Sequence, residues 1–236
     1  AQNLGRAAYY RPPQLTLMVG FIKDPQHKNY TVAEWAKGIG AKFDAKAIVE
    51  RARRAGVVQI IWYDKWIDGL VFRKTTTTKY QTERDFLAEL MPECRRNGIK
   101  LVTYFNTFFD DNPEFAQWAV TDQRGTALTF APVWPCRLLS MHSPFSEKVL
   151  EQVRELFVNY GIDGLWLDVP RFALMPYDKW SREAFRKTLG KDPIEATAAE
   201  RHKFMADTVA TWNKEVAAFA RKLKPSAIVT TNYIPD

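Results

Sequence analysis

The sequence contains few cysteines and histidines and no long apolar run. Its 236 residues include two cysteines and three histidines, and neither type shows the spacing of a metal-binding motif. We therefore predict no metal site, and we expect Cys94 to be a buried free thiol rather than half of a disulfide. No stretch of about 18 apolar residues is present, so we expect no membrane-spanning segment and no membrane partner.

A glycine-rich phosphate loop is also missing. In nucleotide-binding α/β proteins such a loop follows the first strand, but the first predicted strand here, Leu15 to Phe21, leads into Lys23-Asp24-Pro25. The sequence thus argues against dinucleotide or nucleoside-triphosphate binding, and we predict no cofactor.

The formal net charge is +7, which raises the question of nucleic acid. Most basic residues lie in helical patterns together with acids, as in the segments 50–54, 93–96 and 214–224. Such mixed segments are typical of solvated helix faces. We therefore predict no nucleic-acid partner.

The chain starts with Ala1 and has no leader of basic and apolar residues. This fits a processed secretory protein, although a chain cut at a chosen point would look the same, so we expect a secreted or periplasmic protein.

One unit recurs along the chain: an amphipathic helix, a tight stop such as Gly56, Gly98 or Gly161, and then a buried strand. The predicted strands start near residues 15, 57, 99, 162 and 226. Strands that alternate with helices of this length predict a parallel sheet with right-handed crossovers. Long insertions, 106–145 and 169–197, follow strands rather than precede them, which favours an α/β fold of the (β/α)8 TIM-barrel type over a doubly wound sheet.

Five strands do not close an eight-stranded barrel. We interpret residues 1–236 as a single, partial barrel domain. An open barrel would expose a strand edge and an apolar interior, which promote aggregation. We therefore expect either that the chain is the N-terminal part of a longer barrel or that a partner or a rearrangement covers the open side.

Polar and aromatic side chains follow the predicted strands, at the edge where ligands bind in barrels. Asp168 ends the apolar run that starts at Gly164, and no helix follows that it would cap, so it is the candidate catalytic residue. Carboxylates, amides and aromatic rings together suit a sugar, and two carboxyl groups at a glycosidic bond supply its acid and its nucleophile or base. The candidate substrate-binding residues are Asp64, Lys65, Trp66, Asp68, Tyr104, Asn106, Arg171 and Asn232.

Several of these residues have structural alternatives. Trp62 and Trp166 lie inside apolar runs and are predicted to be core residues. Asp64 and Asp68 could instead cap their loop or pair with nearby cations. Asp110 and the acid after it precede Asn-Pro-Glu, which is a helix-start signal, so one of the two is expected to cap.

The segments WYDKWIDGLVF and GIDGLWLDVPRF, with the helices between them, give the chain a family resemblance. Residues 40–235 resemble the barrel domains of α-L-fucosidases (glycoside hydrolase family 29) and of the hypothetical glycosyl hydrolase family 6. The resemblance implies a retaining double displacement with Asp168 as the nucleophile. It matches Lys65 and Asp68-Gly69 to a Lys-His-His-Asp-Gly-Phe motif.

The chain departs from that motif at Trp66 and Ile67, which stand where the fucosidases have two sugar-contacting histidines. The family's acid/base lies in a later part of the barrel, so the resemblance places it beyond residue 236 or in a divergent loop. Two functional hypotheses follow: a fucosidase-like glycosidase that cleaves a carbohydrate substrate, and a catalytically inactive carbohydrate-binding barrel.

Overall fold

A computed structural model describes residues 15–21, 40–130, 134–168 and 175–231. Within these ranges the chain alternates between strands and helices, as the sequence predicts. The strands are β1 (Leu15–Val19), β2 (Val57–Lys65), β3 (Lys100–Asn106), β4 (Thr129–Phe130), β5 (Trp134–Arg137), β6 (Gly164–Asp168) and β7 (Ile228–Thr231). The helices are α1 (Ala45–Arg54), α2 (Phe86–Arg96), α3 (Phe145–Glu155), α4 (Lys179–Leu189) and α5 (Ala198–Leu223). A 3₁₀ helix spans Pro113–Trp118, and a π-helical turn, Leu156–Tyr160, continues α3.

Five strands form one parallel sheet in the order β1-β2-β3-β6-β7. Each strand pairs with the sheet strand that precedes it in the chain, and the order never reverses. A doubly wound sheet requires a reversal, whereas a barrel adds its strands in sequence. The predicted barrel-type α/β fold is therefore confirmed, with five strand positions that match those expected from the sequence. The two short strands β4 and β5 form a separate antiparallel pair inside the long insertion after β3.

Local signals explain where the helices begin and end. Asp44 precedes α1 and accepts a hydrogen bond from the backbone N–H of Ala47, and Thr197 forms a reciprocal capping box with Glu200 at the start of α5. These caps satisfy N–H groups that have no partner within the helix. The π-helical turn after α3 ends at Gly161, which has φ +68°, a left-handed conformation that glycine adopts without steric cost.

The core lies between the sheet and helices α1, α2, α3 and α5. Trp62 is fully buried there and packs edge-on against Phe43, with ring centroids 5.4 Å apart, so its predicted place in the core is confirmed. Cys94 is a buried free thiol, as expected, and Cys136 is also buried and free. Among the described residues no helix is long and apolar enough to cross a membrane.

Two elements of the insertions were not predicted. One is the β4–β5 pair, and the other is α4, which begins after Asp178 and ends at Gly190. A helix predicted to start at Thr31 lies outside the described residues. The predicted cover for the open side of the barrel stays a prediction.

Candidate active site

Asp168 is the last residue of β6 and lies at the carboxyl edge of the sheet. It pairs in register with Asn106, the last residue of β3. The hydroxyl of Tyr104 donates a hydrogen bond to Asp168 Oδ2, and both side chains are buried. A hydrogen bond to an ionised carboxylate is stronger than one between neutral groups. Tyr104 therefore fixes one carboxylate oxygen and leaves Asp168 oriented at the strand mouth.

A row of aromatic rings runs across the sheet beside this carboxylate. Tyr63, Tyr104 and Trp166 pair in register on three neighbouring strands, so their side chains share one face. The ring centroid of Tyr104 lies 4.2 Å from that of Tyr63 and 5.4 Å from that of Trp166. Asp168 is two residues beyond Trp166 and so shares this face. Trp66 joins the row, with its centroid 5.3 Å from that of Tyr63.

The tyrosine hydroxyls of the row are held protonated. Burial, and next the charge of Asp168, raise the pKa of Tyr104 above its usual value, and the same two causes raise the pKa of Tyr63. Tyr104 is thus a hydrogen-bond donor throughout the neutral pH range. Tyr63 is directed elsewhere, since its hydroxyl lies 3.1 Å from Met18 Sδ.

A bulge in β2 directs Lys65 away from this face. The pairing with β3 shifts between Tyr63 and Lys65, so that Lys65 opposes Phe105. Its Nζ lies 4.9 Å from the ring centroid of Phe145 in α3 and 3.0 Å from Asp110 Oδ2. Both members of this ion pair are fully buried. Burial raises the pKa of Asp110, although the charge of Lys65 opposes the shift.

Asp64 lies on the same helix-facing side of the bulge. Its Oδ2 is 3.2 Å from Nε of the buried Arg73, whose Nη1 reaches Glu155 Oε2 at 2.9 Å. Burial raises the pKa of Asp64 to about 6, and the charge of Arg73 opposes the shift. Burial also acts to raise the pKa of Glu155, but hydrogen bonds from the threonines of the β2–α2 loop outweigh it and hold that pKa low. The network ties this loop to α3.

Asp68 and Asn106 organise the turns at the strand mouths. Asp68 accepts hydrogen bonds from Leu70 N at 3.0 Å and from Tyr80 Oη at 3.1 Å. The Asn106 side chain donates to the carbonyl of Phe109 at 2.6 Å, and it also donates to the β2 turn and accepts from two backbone N–H groups. Its amide is therefore fully used in holding the loops after β2 and β3 together.

Gly69 brings these two loops into close contact. Its φ is +91°, and a Cβ at this position would lie 2.1 Å from Asp110 Oδ1. Only glycine combines this backbone conformation with so close an approach. The Asp68-Gly69 pair thus has a packing role, in addition to any role in binding.

The structure separates the predicted site residues into two groups. Asp168, Tyr104 and Trp66 come together on one face, whereas Asp64, Lys65, Asp68 and Asn106 are buried with internal partners. For this second group the geometry favours a supporting role over the direct sugar contact that the sequence predicted. Arg171 and Asn232 lie outside the described residues.

Two residues of the aromatic row, Tyr63 and Trp166, are not among the predicted site residues, although the sequence places Tyr63 at the end of the second strand. Trp166 was assigned to the core, but it is only partly buried. The alternation of side chains along a strand could have placed it on the face of Asp168, two residues later. No group of three or more histidine, cysteine or acidic residues that could hold a metal ion occurs within the described ranges.

A barrel-type sheet with a fixed carboxylate at a strand mouth is the arrangement of a glycoside hydrolase-like protein. The family described as hypothetical glycosyl hydrolase 6 matches residues 44–169, just over half of the chain and including Asp168. The chain belongs to this family. A search of curated proteins found no match.

Solved structures share the fold. α-L-Fucosidase isoenzyme 2 from Paenibacillus thiaminolyticus has a TM-score of 0.71 at 19% identity, with 92% of this chain and 32% of that one covered. An α-L-fucosidase of glycoside hydrolase family 29 from Bacteroides thetaiotaomicron has a TM-score of 0.54 at 20% identity, with 84% and 37% covered. The chain thus spans about a third of the length of these fucosidases. A hypothetical protein from Ruminiclostridium thermocellum has a TM-score of 0.58 at 14% identity, with 92% and 96% covered.

Proposed function

We propose that the chain carries the nucleophile of a retaining glycoside hydrolase, and that this nucleophile is Asp168. The observation that supports the proposal is the hydrogen bond from Tyr104 to Asp168 at the mouth of β6. Family membership and the fucosidase-like fold agree with it. The specific sugar is a separate matter, since Trp66 and Ile67 stand where fucosidases have two histidines.

In the proposed reaction, one carboxylate oxygen of Asp168 attacks the anomeric carbon and displaces the leaving group. A glycosyl ester forms, and water then hydrolyses it with return of the carboxylate. Tyr104 orients the carboxylate by donating to its Oδ2. The partly exposed rings of Tyr63 and Trp166 offer apolar faces on which the C–H face of a pyranose ring can pack.

The proposal also requires a carboxylic acid that protonates the leaving oxygen, about 5–5.5 Å from the nucleophile in retaining enzymes. Three buried acids lie at or just beyond the neighbouring strand ends in the described ranges, and each is engaged elsewhere: Asp64 by Arg73, Asp68 by Tyr80 and Asp110 by Lys65. The half-buried Asp111 is a fourth acid there, and its Oδ1 accepts from the backbone N–H of Arg137. The resemblance to fucosidases assigns the acid to a later part of the barrel, which fits these observations.

Replacement of Asp168 by asparagine tests the nucleophile with little change in volume. In the natural protein we expect turnover of an aryl glycoside panel to fall to background. A 2-fluoro glycoside should label the wild type on the peptide that contains Asp168, as measured by mass spectrometry. The control is Asp207→Asn, an exposed position on α5, which should leave both readouts unchanged. Undiminished turnover by Asp168→Asn would show that the nucleophile lies elsewhere.

A second candidate function is a carbohydrate-binding barrel without turnover. The engagement of the three acids by internal partners favours it, because no second carboxylate has been placed at Asp168 among the described residues. The same aryl glycoside panel distinguishes the two functions. A binding module would show saturable affinity by calorimetry and no release of the aglycone.

A further inference from the structure

The edge of the sheet where the strands begin carries a cluster of basic residues. The basic rim, as we call it, consists of exposed or half-buried arginines and lysines at the ends of α1, α2 and α5 and at the start of β3. Its members are Arg51, Arg53, Arg54, Arg95, Arg96, Lys100, Arg221, Lys222 and Lys224.

The fold itself gathers these cations. Helices α1, α2 and α5 each run into the next parallel strand, so their carboxyl ends all lie beside strand starts. Contacts link part of this edge: Arg95 Nη2 is 3.1 Å from the position of a Cβ on Gly161, and Lys100 and Lys224 both reach Asp163 Oδ1, at 3.4 and 2.8 Å. Segments that are separate in the sequence thus lie at one edge of the sheet.

Acids neutralise only part of the rim. In the described part of the chain, Glu93 pairs with Arg96, Asp163 pairs with two lysines, and Glu50 is exposed one turn before the end of α1. Nine cations and three acids leave a surplus of six positive charges among these described residues. The dipoles of three helix ends account for roughly half a charge each, which is less than this surplus.

Exposed aliphatic side chains lie at the same edge. Val158, in the π-helical turn that precedes β6, is 65% exposed. Val58 is 37% exposed and is the extra residue of a bulge at the start of β2, between the pairs Leu15–Val57 and Thr16–Gln59. Isolated apolar side chains among cations are typical of surfaces that lie on anionic membranes.

We propose that the basic rim docks the protein on an anionic lipid surface. The starts of parallel strands lie side by side, so the rim offers a broad surface to a flat partner. Duplex DNA would be attracted by the same cations, but it offers no apolar layer to Val58 and Val158, whereas a lipid surface does. The expectation of no membrane partner rested on the lack of a spanning segment, which does not bear on docking at the surface.

Docking in this orientation has a functional consequence. Asp168 lies at the opposite, carboxyl edge of the sheet. A protein held by its basic rim would therefore present the strand mouths to the solution. The docking proposal does not depend on catalysis and holds equally for a carbohydrate-binding barrel.

Vesicle co-sedimentation tests the proposal. We expect the protein to bind vesicles of phosphatidylglycerol and phosphatidylcholine at low salt, with affinity that falls as salt rises, and not to bind phosphatidylcholine alone. The triple variant Arg51→Gln, Arg53→Gln, Arg54→Gln should bind on the order of a hundredfold more weakly, from the contribution of each cation near an anionic membrane. Val158→Ser should weaken binding without changing its salt dependence.

The matched control removes the same charge from the opposite edge: Lys46→Gln, Lys79→Gln, Arg124→Gln. Lys46 is in the first turn of α1, Lys79 is in the loop after β2, and Arg124 is in the insertion after β3; all three are exposed. The control should bind vesicles like the wild type, and circular dichroism should show that both triple variants are folded. Absence of binding at low salt, equal loss in both variants, or tighter binding to duplex DNA than to the vesicles would each overturn the proposal.

Discussion

Replacing Tyr104 by phenylalanine removes the hydroxyl that donates to Asp168 Oδ2 and keeps the ring. The stacking on Tyr63 and Trp166, with centroids at 4.2 and 5.4 Å, is preserved because phenylalanine fills the same space. A hydrogen bond to an ionised group contributes about 1.5–3 kcal/mol, and one pKa unit corresponds to about 1.4 kcal/mol. Loss of the donor removes that stabilisation of the ionised carboxylate, so the pKa of Asp168 should be higher in the variant than in the wild type.

The measurement is a carboxylate NMR titration of protein labelled with ¹³C-aspartate, in which Asp168 is assigned by its absence from Asp168→Asn. This readout does not require activity and so remains informative if the protein is a binding module. Tyr63→Phe is the matched control: it removes a hydroxyl from the same aromatic row, but that hydroxyl contacts Met18 rather than Asp168. An unchanged titration midpoint in Tyr104→Phe, or an equal shift in Tyr63→Phe, would refute the orienting role.

Three further predictions concern stability, each measured by denaturant unfolding. Burial raises the pKa of Asp64 to about 6, so the folded state binds a proton that the unfolded state has lost, and the free energy of unfolding should fall by up to about 3 kcal/mol as pH rises from 4 to 7. The Asp64→Asn variant should lack this fall. An identical pH dependence in the variant and the wild type would contradict the raised pKa of Asp64. Gly69→Ala should lower the free energy of unfolding by about 2 kcal/mol or more in addition to the loss caused by Gly125→Ala. Both glycines have a positive φ, but of the two only Gly69 has atoms within 4 Å of the added Cβ. Equal losses in the two variants would show that the contact with Asp110 does not require glycine. Lys65→Met should lower the free energy of unfolding by about 3–5 kcal/mol, because it leaves the buried Asp110 without its partner. Adding Asp110→Asn to this variant should restore part of the loss. A Lys65→Met variant as stable as the wild type would favour a role of Lys65 in substrate binding.

The strand positions could be predicted because their signals are local. A glycine such as Gly56 or Gly98, or in the case of α5 a proline at residue 225, follows each helix that precedes a strand of the parallel sheet, and an apolar run begins within a few residues. The position of Asp168 follows from the same logic, since it ends such a run. Helix α4 also has local signals, an N-cap at Asp178 and a left-handed Gly190 at its end. It was not predicted because it lies in an insertion, outside the repeated unit of helix, stop and strand.

The roles of Lys65 and Asn106 could not be predicted in the same way. The side to which Lys65 points depends on a bulge, and a bulge is defined by pairing with β3 rather than by the local sequence. Asn106 occupies the expected position at a strand mouth, yet its partners are backbone groups brought there by other loops. Long-range register and loop contacts thus decide which polar residue faces a ligand and which supports the scaffold.

The close approach at Gly69 has a consequence for how this family should be interpreted. A side chain at that position would collide with the carboxylate of Asp110, whatever the protein does. Selection for folding alone would keep Asp68-Gly69 in a descendant that had lost all catalytic activity. The presence of this pair is therefore uninformative about turnover. Active members and pseudoenzymes have to be distinguished at positions whose residues are not required for folding, above all among the aromatic rings beside Asp168.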